Sequence, residues 1–278
     1  MAVNLAAEQS SPPRDAARHG MPAVELRGVG KVFGDGFRAL DGIDISFPRG
    51  ELTSLLGPSG CGKTTTLKII AGLTEPTGGE VIVQGRPVTG PGPERAFVFQ
   101  DFALMPWATV LRNVAFGLEL RGVPKAEREK IARRYIAQVH LTGHEHKYPH
   151  QLSGGMRQRV GLARALTVDA DILLMDEPFA SVDEQNRRKF QEDLPNLLSV
   201  ERKTVIFVTH SIEEAVYISD QVVILARDPG RVSQILRPEI DRSGDFDALR
   251  RSPAYLDCVD AIWHDLKRYL EDGTEERP

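Results

Sequence analysis

Residues 52–64 read LTSLLGPSGCGKT, an apolar run that leads directly into a glycine-rich loop. The loop, residues 57–64, matches the pattern G-x-x-x-x-G-K-[ST], with an apolar segment before it and a helical segment at 65–71 after it. Glycines let backbone N–H groups converge on phosphate oxygens, and the start of a helix adds positive potential. The sequence therefore predicts a strand, a phosphate-binding loop and a helix in direct succession, as in an α/β fold.

Two side chains of this loop carry its chemistry. Lys63 can reach the β- and γ-phosphates of a nucleotide, and Thr64 can place its hydroxyl on Mg²⁺. A purely structural glycine-rich turn is the alternative, which the succession of strand, loop, Lys-Thr pair and helix disfavours. Cys61 lies among inward N–H groups at a helix start, a setting that lowers a thiol pKa. We expect it to be alkylated readily and protected by nucleotide, with a buried packing thiol as the alternative.

A second apolar strand, at 172–175, ends in Asp176 and Glu177. A carboxylate at a buried strand end is costly unless it meets a cation or a hydrogen-bond donor. Beside a phosphate loop, Asp176 is placed to hold Mg²⁺ and Glu177 to orient or deprotonate an attacking water. An acidic pair at a helix start is the alternative, but its pairing with a phosphate loop favours a site of nucleotide hydrolysis.

The rest of the chain fits α/β layering in one or two domains. Near-continuous apolar runs typical of buried strands alternate with helical patterns, and they lie at residues 23–26, 52–56, 80–83, 96–100, 172–175, 205–208 and 222–226. Residues 124–140 are predicted to form an amphipathic helix. We divide the chain into a flexible tail (1–22), a main domain (23–238) and a C-terminal helical extension (239–278). Within the extension, residues 245–273 are predicted to form a helix with one apolar face, which carries Tyr255, Val259, Ile262, Trp263, Leu266 and Leu270.

Composition restricts the partners. The 278 residues include 35 Lys plus Arg and 39 Asp plus Glu, so a formal charge of −4 disfavours nucleic-acid binding. Short basic runs at 133–134 and 187–189 are interpreted as solvated helix faces. The sequence has no apolar run of membrane-spanning length and no signal-peptide pattern at its N-terminus. Any association with a membrane is therefore expected to depend on a partner.

Residues 152–159, LSGGMRQR, lie about twenty residues before the acidic strand and predict a second helix start with a serine cap and exposed glycine amides. This segment resembles the signature motif of ATP-binding cassette (ABC) proteins. The resemblance covers about residues 23–238. It implies the ABC nucleotide-binding domain, with a RecA-like phosphate-loop core, an N-terminal antiparallel β subdomain and an inserted helical subdomain at about 101–160 that carries the signature.

Further residues match family elements in the expected order. Gln100 resembles the glutamine-loop residue, His210 the switch histidine at the γ-phosphate, Phe33 the aromatic residue that stacks on adenine, and Asp183 the D-loop aspartate. The D-loop here, residues 180–183, reads ASVD, where the family commonly has SALD or GALD. Because of that difference, the resemblance does not determine which contacts this loop makes across a dimer, although the aspartate is retained.

The implied site uses ATP and Mg²⁺. Glu177, His210 and Lys63 are the candidate catalytic residues, and Thr64, Gln100 and Asp176 the candidate metal ligands. The signature residues expected to act across a dimer are Ser153, Gly154, Gly155 and Met156. The candidate ATP-binding residues are Phe33, Gly57, Pro58, Ser59, Gly60, Cys61, Gly62, Lys63, Thr64, Thr65 and Gln100.

The resemblance implies the ATPase subunit of a transporter. Met156, the segment QDFALMPW at 100–107 and the C-terminal helix are similar to the nitrate, sulfonate and taurine importer branch. The expected partners are a second copy of the chain, transmembrane permease subunits and, indirectly, a substrate-binding protein, with the chain peripheral on the cytoplasmic face of the inner membrane. The alternatives are a phosphate-loop small-molecule kinase and a soluble ABC ATPase of DNA repair or translation. The apolar loop beside Gln100, with Leu104, Met105 and Trp107, is interpreted as the place where a membrane subunit docks. Packing of these side chains in the core is the alternative.

Overall fold

The structure is a computed structural model that describes residues 21–179, 187–188, 191–192, 194–195, 197–198, 203–242 and 246–271, with side chains described up to 267. Residues 1–20 of the expected tail and the D-loop residue Asp183 lie outside the described residues.

Ten described strands form two sheets. They are β1 (Val24–Val32), β2 (Arg38–Phe47), β3 (Leu52–Leu56), β4 (Gly78–Val83), β5 (Arg86–Pro87), β6 (Arg95–Val98), β7 (Ile172–Asp176), β8 (Thr204–Thr209), β9 (Gln221–Ala226) and β10 (Arg231–Leu236). The first sheet is antiparallel with the order β2-β1-β4-β5. The second has the order β10-β9-β3-β8-β7-β6, in which β9, β3, β8, β7 and β6 run parallel and β10 pairs antiparallel with β9.

The described helices are α1 (Lys63–Ile70), α2 (Val110–Leu120), α3 (Lys125–Gln138), α4 (Gly154–Thr167), α5 (Ile212–Ile218), α6 (Phe246–Arg250) and α7 (Pro253–Glu271). A 3₁₀ turn at Pro149–Gln151 precedes α4. None of the helices in the described part of the chain combines the length and the hydropathy that a membrane crossing requires.

The two faces of the parallel sheet are covered differently. Along β7, Ile172 and Leu174 face the layer that contains α1 and the antiparallel sheet, whereas Leu173 and Met175 face the layer of α2, α3 and α4. This alternation follows from the two-residue period of a strand. Each fully buried Leu or Ile contributes about 1.5–3 kcal/mol relative to an exposed one, so the two layers hold the sheet rigidly between them. The candidate site residues are therefore attached to a well-packed frame.

The C-terminal extension packs onto the same frame. Tyr255, Ile262 and Leu266 of α7 are buried against α5, against Leu56 at the end of β3 and against Val222 and Ile224 of β9. The structure corrects two expectations here. A turn and a bend at residues 251–252 separate α6 from α7, and Trp263 does not join the buried face, because it is 51% exposed. The buried positions follow a spacing of seven and then four residues, which keeps them on one side of the helix.

The predicted strands are confirmed as β1, β3, β4, β6, β7, β8 and β9. The ends of β3 are as predicted, and the other six differ at one or both ends. The strand predicted over 96–100 ends at Val98, so Gln100 lies in the turn that follows it. Strands β2, β5 and β10 were not predicted. In β2 the signal was present, because buried Ile43, Ile45 and Phe47 alternate with exposed polar residues.

Candidate active site

Four site segments meet at one edge of the parallel sheet. Strands β3, β8, β7 and β6 are consecutive neighbours, and the phosphate loop, His210, Asp176 with Glu177, and Gln100 lie at or just beyond their respective carboxyl ends. Ligands of open α/β sheets bind outside the carboxyl ends of the strands. The sheet order therefore collects residues that are far apart in sequence.

The phosphate loop needs glycine at two positions for steric reasons. A Cβ at Gly57 would lie 2.4 Å from Leu225 O of β9, and a Cβ at Gly62 would lie 2.3 Å from Leu40 Cδ2. Gly62 also has a φ of 90°, a conformation that other residues adopt only with strain. The loop thus packs closely against β9 at one end and against β2 at the other, and these contacts maintain its curved backbone.

Lys63 is buried inside this curve. Its Nζ donates hydrogen bonds to Gly57 O at 2.8 Å and to Pro58 O at 3.0 Å, and lies 3.8 Å from Cys61 Sγ. Bonds to a charged donor are stronger than those between neutral groups. The ammonium group is therefore held within the loop, where it can meet phosphate oxygens.

Thr64 and Asp176 approach each other from α1 and β7. Thr64 Oγ1 donates a hydrogen bond to Asp176 Oδ1 at 2.9 Å. Burial raises the pKa of the Asp176 carboxyl, and the negative charge of Glu177 raises this pKa further. The hydrogen bond from Thr64 acts in the opposite direction and lowers the pKa. A hydroxyl and a carboxylate are the hard oxygen ligands that Mg²⁺ prefers, so this pair fits the ion. Within the described residues, no hydrogen bond joins the exposed Gln100 to either of them.

Glu177 has an unusual backbone. Its φ is 42°, in the left-handed region that non-glycine residues rarely occupy. The Glu177 N–H donates to Val208 O of β8 at 3.1 Å, and Glu177 Oε2 lies 3.3 Å from His210 Nδ1. Such strain costs about 1–3 kcal/mol and persists only where the surroundings impose it. The structure therefore orients this carboxylate toward His210.

The signature segment begins α4. Ser153 is the N-cap of the helix, and its Oγ accepts a hydrogen bond from the Met156 N–H at 3.3 Å. Ser153 is exposed, Gly154 and Met156 are half-buried, and Gly155 is buried. This helix start is open to a negatively charged group, but it makes no contact with the phosphate loop among the described hydrogen bonds.

Comparisons with known proteins agree with this arrangement. The family profile described as ABC transporter matches residues 40–180, about half of the chain. The chain belongs to the ABC transporter family. It is 50% identical over 247 residues to an uncharacterised ABC transporter ATP-binding protein of Methanocaldococcus jannaschii, covering 88% of this chain and 91% of that protein.

Two further comparisons concern activity and fold. The chain is 48% identical over 232 residues to the taurine import ATP-binding protein TauB of Chromobacterium violaceum, covering 82% of this chain and 89% of that protein. A dimeric ATP-binding cassette solved in a post-hydrolysis state with ADP and Pi superposes with a TM-score of 0.68 at 32% identity, covering 80% of this chain and all of that one. The predicted ABC fold and ATPase class are confirmed, and the kinase alternative is wrong.

Phe33, another predicted site residue of this ABC ATPase, lies beside the antiparallel sheet. Phe33 follows β1, is partly exposed, and stacks on Phe37 with the ring centroids 6.5 Å apart. Lys31 Nζ lies 5.3 Å from the Phe33 ring centroid. The ring thus presents an accessible aromatic face, and its assignment to adenine stays a prediction.

Cys61 differs from the expectation. The side chain is fully buried, and burial raises the pKa of its thiol, with the Lys63 charge opposing the shift only in part. The loop N–H groups that suggested a lowered pKa are outweighed by the loss of water around the sulfur. The expected lowering of the thiol pKa is therefore wrong, and the burial of the sulfur favours the packing alternative.

Sequence analysis missed the residue that shapes the loop after Gln100. Asn113 of α2 is fully buried and accepts from the Met105 N–H at 2.8 Å while donating to Met105 O and Ala108 O. Leu104 packs partly against the helical core, but Trp107 is 73% exposed, so core packing is wrong for Trp107. A polar residue within the apolar pattern of α2 was the available signal.

Proposed function

We propose that this protein is the ATP-hydrolysing subunit of an ABC importer for a small anion such as taurine, another sulfonate or nitrate. The observation that carries the proposal is the cluster at the strand ends, where Thr64 bonds to Asp176 and Glu177 faces His210 beside the loop of Lys63. The anion class is supported by the similarity to taurine import proteins at 48% identity.

In this proposal each residue of the cluster has a defined task. Lys63 and the loop amides bind the β- and γ-phosphates, while Thr64, Asp176 and Gln100 hold Mg²⁺. Bound Mg²⁺ would neutralise charge that develops on the phosphate oxygens. Glu177 accepts a proton from the attacking water, and His210 contacts the γ-phosphate and keeps the Glu177 carboxylate in place across their 3.3 Å contact.

The remaining site elements act in a dimer. Two copies pair head to tail, so that the start of α4 at Ser153, Gly154, Gly155 and Met156 meets the nucleotide bound by the partner. The exposure of Ser153 and the serine-capped helix start support this arrangement, because such an end attracts phosphate. A similar cassette is dimeric in its ADP and Pi structure. Asp183 is assigned to the same interface.

The segment after Gln100 contacts the permease. Trp107 is exposed on a loop that Asn113 holds rigidly through three hydrogen bonds to the loop backbone at Met105 and Ala108. Large exposed aromatic side chains on rigid loops are typical of protein interfaces. The permease places the protein on the cytoplasmic face of the inner membrane, and a substrate-binding protein acts on the other side.

The catalytic assignment is tested with Glu177→Gln. The amide is nearly isosteric but cannot accept the proton, so turnover should fall by about 10²- to 10⁴-fold while ATP affinity is retained. The uncleaved γ-phosphate should trap an ATP-dependent dimer, which size-exclusion chromatography detects alongside phosphate release. Glu127→Gln, an exposed carboxylate in α3, is the matched control. Wild-type turnover by Glu177→Gln, or a monomer in saturating ATP, would overturn the mechanism.

The anion class needs a separate test. The genes on either side of the chain's own gene are first searched for a multi-span membrane subunit and a secreted binding protein. The chain is then reconstituted with the candidates that are found, and uptake of labelled taurine, an alkanesulfonate and nitrate is compared. Uptake of one of these anions that depends on ATP supports the proposal. Uptake only of solutes that carry no sulfonate, nitrate or other anionic group would refute the anion class and leave the ATPase assignment intact.

A further inference from the structure

Thr209 and Ser211, the two residues that flank His210, form a closed ring of hydrogen bonds with Glu214 of α5. Thr209 Oγ1 donates to Glu214 Oε2 at 2.5 Å and accepts from the Ser211 N–H at 3.0 Å. The Glu214 N–H in turn donates to Ser211 Oγ, the N-cap of α5, at 3.2 Å. Both residues that flank His210 are thus tied to Glu214.

Glu214 is an unexpected residue at this position because its side chain is buried. Burial raises the pKa of the Glu214 carboxyl, and the hydrogen bond from Thr209 is the largest opposing effect. Its second oxygen, Oε1, accepts from Gln191 Nε2 at 3.0 Å. A buried carboxylate is tolerated only when its oxygens are bonded, and here each oxygen accepts from a different segment of the chain.

The His210 side chain itself has little packing. It is 64% exposed, and among the described residues its ring contacts Glu177. Because few neighbouring side chains restrain the imidazole, its position depends mainly on the backbone conformation of residues 209–211. The backbone of these residues is held by the ring of bonds through Glu214.

We propose that Glu214 is the positioning residue for His210, fixing the turn of residues 209–211 so that the imidazole stays within reach of Glu177 and of the reacting phosphate. The inference rests on the proposed role of His210. Gln191 extends the same network to the segment that follows Asp183. Tyr255 of α7 donates from its hydroxyl to Glu213 O at 3.3 Å. The start of α5 is thus held by hydrogen bonds to Thr209, Gln191 and Tyr255.

The first test compares two substitutions of Glu214 with a control in α3. Glu214→Ala should lower kcat for ATP by about 10- to 100-fold, the usual cost of a catalytic group displaced by about 1 Å, and should change KM by less than about threefold. Glu214→Gln should recover most of the activity, because its carbonyl still accepts from Thr209 and its amide can donate to Gln191 after that side chain turns over. Glu127→Ala, an exposed carboxylate in α3, should keep wild-type kcat.

The second test asks whether Glu214 acts through His210. Single-turnover phosphate release is measured for His210→Ala, Glu214→Ala and the double variant. In the His210→Ala background, Glu214→Ala should cost no more than about twofold, because the group that it positions is gone. If Glu214→Ala does not fold, Thr209→Val removes the other partner of the 2.5 Å bond and should show the same dependence on His210.

The outcomes separate the two claims. Fully additive losses in the double variant, or a Glu214→Ala protein with wild-type kcat, would overturn the positioning role while the function of His210 stands. Wild-type turnover by His210→Ala would overturn the proposed function and this inference with it. A loss in Glu214→Ala that Glu214→Gln does not recover would show that the negative charge, not the hydrogen-bonded ring, is what matters, and would also refute it.

Discussion

Replacing Ile262 with Ala tests whether the C-terminal helix is an integral part of the core. Ile262 of α7 is 0% exposed and belongs to a buried cluster with residues of α5, with Leu56 at the end of β3 and with Val222 and Ile224 of β9. The substitution removes three buried carbons, worth about 2.4 kcal/mol at ~0.8 kcal/mol each, and leaves a cavity that adds to the loss. We expect the free energy of unfolding to fall by about 2–5 kcal/mol.

Calorimetry gives the measurement. A loss of this size should lower the Tm of the main transition by about 4–20 °C, since 1 kcal/mol corresponds to about 2–4 °C in proteins of somewhat smaller size. Trp263→Ala is the control, because it removes a larger side chain that is 51% exposed and should cost much less. If Ile262→Ala leaves the main transition unchanged, or lowers it no more than Trp263→Ala does, the extension is not part of the cooperative core and the packing argument fails.

Two further predictions concern thiols and docking. In the native protein a thiol reagent should modify the half-buried Cys258 well before the fully buried Cys61. Cys258→Ser should therefore abolish the fast phase of labelling measured by mass spectrometry. A fast phase that persists in that variant would contradict the burial of Cys61. Trp107→Ala should keep basal ATPase activity within about twofold but lose ATP-driven uptake with the permease, whereas Leu120→Ala, equally exposed in α2, should keep both. Equal uptake by wild type and Trp107→Ala would remove Trp107 from the docking surface.

The parts of the site that sequence analysis could identify are those built from short, local patterns. The phosphate loop is one continuous segment between a strand and a helix, and its residue types follow directly from phosphate chemistry. The same holds for Asp176 and Glu177 at the end of one buried strand. Sheet neighbours then bring these segments together, as expected for the carboxyl ends of parallel strands.

The features that could not be predicted depend on contacts between distant segments. Cys61 is buried because β9 and Gly57 enclose the sulfur, which no local pattern reveals. Glu214 looks like an ordinary acidic residue in the first turn of a helix, and its burial becomes evident only when Thr209 and Gln191 are placed beside it. The buried face of α7 was misjudged at Trp263, because helical spacing alone does not tell which side of a broad apolar stripe meets a partner.

The order of strands in the parallel sheet has a consequence for synthesis of the protein. Strand β3, which carries the phosphate loop at its end, lies between β8 and β9, and both are encoded about 150 residues later. At ~5–20 residues per second, a ribosome needs about 8–30 s to deliver these neighbours. During that time β3, whose five residues are all buried in the folded protein, has both hydrogen-bonding edges unpaired, a state prone to mispairing with other nascent chains. Expression should therefore depend on chaperone capacity and on translation speed between residues 57 and 226, even for variants whose final fold is fully stable.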